Sequence, residues 1–261
     1  PQGDLWVADF GKGMVYYGEG GTQVYRPNGP YSSNVYDIAS ADGKVYAVPG
    51  GVTQTYNNLF QSASLYIYQD MRWRSEINYE YRDIISLETV PGEPGHLYGG
   101  TWGYGLLEYR DGAIVEAYSE ENSTLQNIIP GGNTVRIGGV AFDGQKNLWM
   151  TNTGVPEPIS VKKADGEWKS FRVDGLLSEF PALGEVLVTK DGYLWTYIPK
   201  GNGLFAMDVN GTIDNEEDDT YRLVSVEDEN GKVITNEIFA FAEDKNGNIW
   251  LGTNQGILVF Y

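Results

Sequence analysis

The feature that most constrains this chain is a short pattern that returns along its length: a glycine or asparagine turn, an aromatic residue inside an apolar run, a second glycine turn and another apolar run. It is clearest in Asn246–Tyr261, NGNIWLGTNQGILVFY, and it recurs in Gly3–Tyr16, Gly43–Gly51, Gly95–Tyr109, Asn147–Gly154 and Gly192–Met207. Two short strands around glycine turns make a β-hairpin. The aromatic anchors are Trp6, Tyr46, Tyr98, Trp149, Trp195 and Trp250, spaced by 40, 52, 51, 46 and 55 residues. Such spacings fit one four-stranded blade per copy, so the chain reads as an all-β protein, a β-propeller of antiparallel blades.

Counting copies predicts about five full blades plus a half. Gly3–Tyr17 supplies only the last two strands of a unit, and nothing after Tyr261 completes it. Residues 1–261 therefore read as a single propeller domain or a piece of a larger propeller array. Starting at Pro1 rather than Met points the same way, to a processed or truncated form. Val35–Ser40, Ile84–Val90, Val135–Phe142, Glu185–Thr189 and Ile238–Ala242 are read as inner strands, the last two buried because their apolar character is continuous. The segment Val24–Asn34, with Pro27 and Pro30 bracketing Asn28-Gly29, reads as a rigid turn between blades.

Acidic residues number 36 and basic ones 18, a net charge of −18. A phosphate backbone needs cations to neutralise it, so nucleic acid is excluded as a partner. The chain has no cysteine, which removes disulfides and thiolate chemistry, and no apolar run is long enough to span a membrane as a helix. One histidine, His96, rules out a metal centre built on several His or Cys. No Gly-x-Ser-x-Gly elbow, P-loop or dinucleotide fingerprint is present. The Asp143-Gly144, Asp191-Gly192 and Asn246-Gly247 dipeptides resemble the turns of sialidase repeats but lack their flanking residues, and as hairpin turns they are fully explained. The chain is therefore read as non-catalytic.

Candidate binding residues lie in loops rich in aromatic and polar side chains. Thr53–Ser64 is a polar insertion that offers Tyr56 and Asn57, and Thr101–Gly105 (TWGYG) offers Trp102 and Tyr104. Trp73 and Trp168, each beside a basic residue, are placed over the seams between blades, with a sugar-stacking platform as the alternative for both. In Asp208–Tyr221 the oxygen-bearing Asp208, Asn210, Asp214 and Glu216 form a candidate structural Ca²⁺ site, although the spacing does not match an EF-hand loop and a solvated acidic loop accounts for it equally. No other cofactor is expected.

The form Gly-x-Leu/Ile-Trp-hydrophobic-Gly/Thr…Gly-Leu/Ile, best kept in Asn248–Val259, resembles the propeller repeat of bacterial two-component regulators, found in periplasmic sensor regions of hybrid histidine kinases, chiefly of Bacteroidota. A narrower resemblance, to the PorZ family, rests on Pro27-Asn28-Gly29-Pro30 with Ser33-Asn34-Val35-Tyr36, on Gly43–Gly51, on Tyr98–Gly103 with Gly105-Leu106, and on Asn210-Gly211-Thr212 ahead of Asp218-Asp219. This resemblance implies a surface component of the type IX secretion system, made of two propellers and a C-terminal signal domain. It implies an extracytoplasmic scaffold that works with a PorU-like sortase protease and supplies anionic lipopolysaccharide for attachment to cargo. The alternative is an oligosaccharide-sensing propeller of a hybrid kinase. The charge of −18 suits a protein partner better than a phosphorylated glycan, because the cations on offer are Arg72, Arg74, Arg82, Lys162 and Lys163.

Overall fold

The computed structural model describes residues 4–260 apart from 10, 11, 27, 174, 200–202 and 236, so Pro27 of the expected turn lies outside the described residues. β1 (Leu5–Asp9), β2 (Gly13–Gly18) and β3 (Gly21–Tyr25) form the first sheet. A four-stranded sheet follows, of β4 (Asp37–Ala41), β5 (Lys44–Val48), β6 (Leu65–Gln69) and β7 (Arg72–Glu76). The next has β8 (Ile84–Thr89), β9 (His96–Gly103), β10 (Leu106–Arg110) and β11 (Ala113–Tyr118). Then come β12 (Val135–Phe142), β13 (Leu148–Asn152), β14 (Ile159–Lys162) and β15 (Trp168–Phe171). A further sheet holds β16 (Val186–Val188), β17 (Leu194–Tyr197), β18 (Leu204–Asp208) and β19 (Thr220–Val224). A ribbon of β20 (Val226–Glu227) and β21 (Val233–Thr235) leads to β22 (Ile238–Glu243), β23 (Ile249–Thr253) and β24 (Gly256–Phe260). All these pairings are antiparallel, and the third and fourth sheets are joined where Val135 and Arg136 of β12 pair with Gly103 and Trp102 of β9.

Each hydrophobic cluster bridges two successive sheets. Tyr46, Leu65 and Ile67 meet Ile84, Leu97 and Leu107. Tyr98 and Leu106 meet Ile137, Leu148 and Met150. Trp149 and Phe171 meet Leu183, Val186 and Phe205. Trp195 and Leu204 meet Ile238, Ile249 and Leu251. An amphipathic sheet cannot bury its face alone, so stacking sheet on sheet supplies about 1.5–3 kcal/mol for each large apolar side chain removed from water. The innermost strands lie side by side: β4 borders β8, β8 borders β12, and β12 borders β16. That approach is so close at Gly138 and Gly139 that an added Cβ would meet the Leu183 carbonyl oxygen at 2.4 Å and the Val186 nitrogen at 2.4 Å. Glycine is required there because any side chain would push β16 off β12.

A recurrent clasp fixes the anchors Trp149 and Trp250 to the turns before them. One carboxylate oxygen of Asp143 accepts the backbone N–H groups of Gln145 and Asn147, while the other accepts the Asn147 side-chain amide at 2.7 Å and Trp149 Nε1–H at 2.9 Å. Asp244 repeats the arrangement with Asn246, Asn248 and Trp250 at 2.7–3.1 Å. In the copy between them Thr189 takes the aspartate's place and its hydroxyl accepts the Tyr193 N–H at 3.0 Å. A side chain that bonds its own backbone two and four residues on makes the turn without help from the rest of the fold.

Two expectations are corrected. The opening unit has three strands, not two, because Gly21–Tyr25 returns along β2. Its anchor Trp6 sits on the first strand of the sheet and is 51% exposed. Ile238–Ala242 is an inner strand but not a buried one: Ile238 packs into the core and Phe241 lies half-buried against it, whereas Phe239 is 62% exposed. Connector residue Asn28 bonds both ways with the backbone of Trp73 on the outer strand β7, and Tyr31 N–H donates to the Ser75 hydroxyl, so the connector runs along that edge.

Candidate functional site: two cavities that share the Tyr56–Trp102 wall

The polar insertion is an ordered structure. Val52 and Asn58 form an antiparallel bridge, and the Thr53 hydroxyl accepts the Asn57 N–H at 3.0 Å. Asp83, 0% exposed, holds the far end: its carboxylate accepts the Phe60 N–H at 2.9 Å, the Gln61 N–H at 2.8 Å and the Asn58 side-chain amide at 3.1 Å. Asn58 also donates to the Trp102 carbonyl at 2.7 Å, and the Asp83 carbonyl accepts the Trp102 N–H. Tyr56 and Phe60 take φ of +61° and +57°. Bulky side chains rarely adopt that left-handed conformation, so the loop is held in it by these bonds at a cost.

The result is a wall. Trp102 Nε1–H donates to the Tyr56 carbonyl at 2.9 Å, and the two rings lie 6.0 Å apart. On one side lies a cavity of about 280 Å³ where the innermost strands converge, lined by Asp37, Ile85, Gly138, Glu185 and Phe239. On the other side a cavity of about 620 Å³ opens between loop 55–57, Arg136, the segment 176–182 and Ile198–Pro199. Both are lined by Tyr56 and Trp102.

The smaller cavity is acidic. Burial pushes Glu185 up to about 7, with the charges of Asp37 and Glu88 adding to the effect. Glu88 is likewise pushed up to about 7, by burial first and the charge of Asp37 second. Asp37 is raised by burial, although its carboxylate accepts the Ile38 N–H at 2.8 Å and the Leu87 N–H at 2.6 Å. The larger cavity is lined by apolar and small polar side chains and, among the described residues, by one cation. Arg136, opposite Trp102 in the strand register, lies over that ring at 5.1 Å. It makes no ion pair or side-chain hydrogen bond with the described residues, and its Nε is buried without a partner. Burial lowers its pKa.

Of the residues singled out in the sequence, Tyr56, Asn57 and Trp102 come together here. Trp102 is only 3% exposed, so it forms the wall and is not a free platform. Tyr104 lies elsewhere, edge-on to Tyr81 at 5.9 Å. Trp73 stands on β7 against Tyr68 at 5.1 Å, while Trp168 covers the seam between neighbouring sheets against Tyr118 at 5.2 Å. The five candidate cations are mostly engaged: Arg74 pairs with Glu76, Arg82 donates to the Phe60 carbonyl, Lys162 lies over Tyr98 and Tyr118, and Lys163 pairs with Glu167 and Asp214. The cation that borders the larger of these two cavities is Arg136, which sits inside a run read only as an apolar strand. In the acidic loop, Asp208 accepts the Asn210 N–H, Asn210 donates to the Asp218 carbonyl, Asp214 pairs with Lys163 and Glu216 pairs with Lys169. Among the described residues no three His, Cys, Asp or Glu side chains gather as a metal ion requires.

An all-β chain of stacked antiparallel sheets whose inner strands converge on a common cavity is a β-propeller. Residues 232–255 match the two-component regulator propeller family, so the chain carries that repeat. Its fold is shared with PorZ of Porphyromonas gingivalis, an essential bacterial surface component of the type IX secretion system. The two are 24% identical, the TM-score is 0.81, and the match covers 96% of this chain and 36% of PorZ. It is shared also with the extracellular domain of the hybrid two-component system BT3049 of B. thetaiotaomicron, at 20% identity and a TM-score of 0.56, over 99% of this chain and 31% of that one. Virginiamycin B lyase of Staphylococcus aureus, an enzyme, has a TM-score of 0.57 at 13% identity, over 87% of this chain and 69% of its own. The chain thus spans about a third of the length of PorZ and of the two-component relative. No curated protein matches it.

Proposed function

We propose that the chain is a non-catalytic, extracytoplasmic binding scaffold that recruits a protein or glycan partner in type IX secretion and surface attachment, as PorZ-like proteins would. The observation that carries this reading is the Tyr56–Trp102 wall: a loop held in a strained conformation by a buried aspartate, with a cavity on either side of it. Strain of that kind persists where the surroundings over-determine it, and it collects at binding sites. The likeness to PorZ supports the setting, and a PorU-like protease and anionic lipopolysaccharide are the partners to try first.

Tyr56→Gly is the informative variant, because glycine takes a φ of +61° without strain while removing the ring. Calorimetric titration of the purified chain with the protease and with lipopolysaccharide should show binding weakened by about 2 kcal/mol in the variant, with the melting temperature kept. Unchanged affinity for both partners would remove the site from this role. A second reading, the ligand-sensing propeller of a hybrid histidine kinase, is favoured by the repeat at residues 232–255. The native polypeptide captured from cell envelopes separates the two: kinase peptides on an inner-membrane species support the sensor, and a surface species with a terminal sorting domain supports the scaffold.

A further inference from the structure

Arg136 is an anomaly in this molecule. The chain carries twice as many acidic as basic residues, yet this half-buried guanidinium has no carboxylate beside it among the described residues. Its Nε is buried and unbonded, and its stabilising contact is the face of Trp102. A desolvated cation without an anion is costly, and a cation–π contact replaces only part of the hydration that burial removes. The guanidinium borders the cavity of about 620 Å³ and offers its fork of donors at one end of it. The rest of the lining is of another kind: Leu176, Leu177, Phe180, Pro181, Ile198 and Leu223. The polar side chains that share the lining are small and uncharged, Thr55, Asn57, Thr153 and Ser178.

Branched aliphatic walls do not suit a sugar ring, whose hydroxyls need partners along both edges and whose flat face needs an open aromatic plane. Here the indole is 3% exposed, bonded to Tyr56 and covered by Arg136. Such walls do suit leucine- or phenylalanine-like side chains, with amide and hydroxyl groups nearby for a peptide backbone. We infer that this cavity takes a polypeptide segment in which a carboxylate adjoins large apolar side chains, the carboxylate seated on the Arg136 guanidinium and the apolar groups on the 176–182 wall. The inference rests on the binding-scaffold reading and names the ligand class at one of its two cavities.

The test uses the intact chain labelled with ¹⁵N and two probes, the peptides Ac-Gly-Leu-Phe-Glu-NH₂ and Ac-Gly-Leu-Phe-Gln-NH₂, with tetragalacturonate as an anionic sugar. The readout is the shift of the Trp102 indole N–H and the Arg136 Nε–H resonances. The Glu peptide should move both at about 1 mM and bind at least about tenfold more tightly than the Gln peptide, the discrimination expected of a charge-assisted hydrogen bond. Arg136→Gln should abolish the difference between the two peptides, and Arg136→Lys should restore part of it. The Trp102 indole resonance and the melting temperature of each variant report whether the wall is intact. Equal binding of the two peptides, or an unmoved Arg136 resonance at that concentration, overturns the inference. Tetragalacturonate binding there in place of the peptides overturns the ligand class while leaving the scaffold reading standing. That reading fails separately, if Tyr56→Gly leaves both partner affinities unchanged.

Discussion

Asp83 has no solvent exposure, a left-handed φ of +52° and three hydrogen bonds from the loop it faces. A buried carboxylate that accepts three donors cannot be replaced by a smaller group without stranding them, at about 1–3 kcal/mol for each group left unbonded. Asp83→Ala should therefore lower the melting temperature, and hydrogen exchange at the Phe60 and Gln61 amides should lose its protection. If those amides stay protected, the loop is held by something else. His96 presents a comparable case. Its two ring nitrogens lie 2.8 Å from Glu93 and 2.9 Å from Glu108, and Tyr118 donates to Glu108 at 2.7 Å. A glutamine at position 96 cannot reach both carboxylates, so His96→Gln should cost about 1–3 kcal/mol in denaturant unfolding.

At the level of the element, the Asp-x-x-x-Asn-x-Trp clasp ties a turn to the strand that follows it. Asp143→Ala removes four acceptor contacts at once and should destabilise the chain by about 2 kcal/mol, whereas the same change at Asp191, which makes no such clasp, should fall within about 0.5 kcal/mol. Equal effects at the two positions would mean that the aspartates are interchangeable turn formers. The acidic loop makes the opposite kind of prediction. Lys163 and Lys169 already neutralise Asp214 and Glu216, so adding millimolar Ca²⁺ or a chelator should leave the melting temperature unchanged. A rise with Ca²⁺ would mean that the loop rearranges to bind it. Much of the element level was legible beforehand. The six aromatic anchors and the runs at 84–89, 135–142 and 186–188 are strands because short apolar runs between glycine turns, alternating or continuous, have few other solutions. The cavity was legible only in part. Tyr56, Asn57 and Trp102 stand out as loop residues, but the approach of Arg136 to Trp102 is a matter of strand register across 34 positions. A charged residue inside an apolar strand carries no local mark of what it faces, and Asp83 carries none of the loop it anchors.

For the molecule as a whole, the half-buried carboxylates Glu88 and Glu185 make stability depend on pH. Glu88 and Glu185 are held above the ordinary value of 4.5, up to about 7, so the fold favours their protonated forms. Their contribution is fully present below the ordinary value and is lost as pH rises through about 7. The melting temperature should accordingly fall between about pH 4.5 and pH 7, and the Glu88→Gln, Glu185→Gln double variant should flatten that decline. A double variant with the full slope would assign the effect to the overall charge of −18. The clasps bear on something else, the order of events when the chain folds. Each one closes over six residues and needs no partner from another sheet, so hairpins can form early with little loop entropy to overcome. Only afterwards must neighbouring sheets meet. A chain assembled in this way zips from neighbour to neighbour, and a nascent one can begin to do so while its later repeats are still being synthesised.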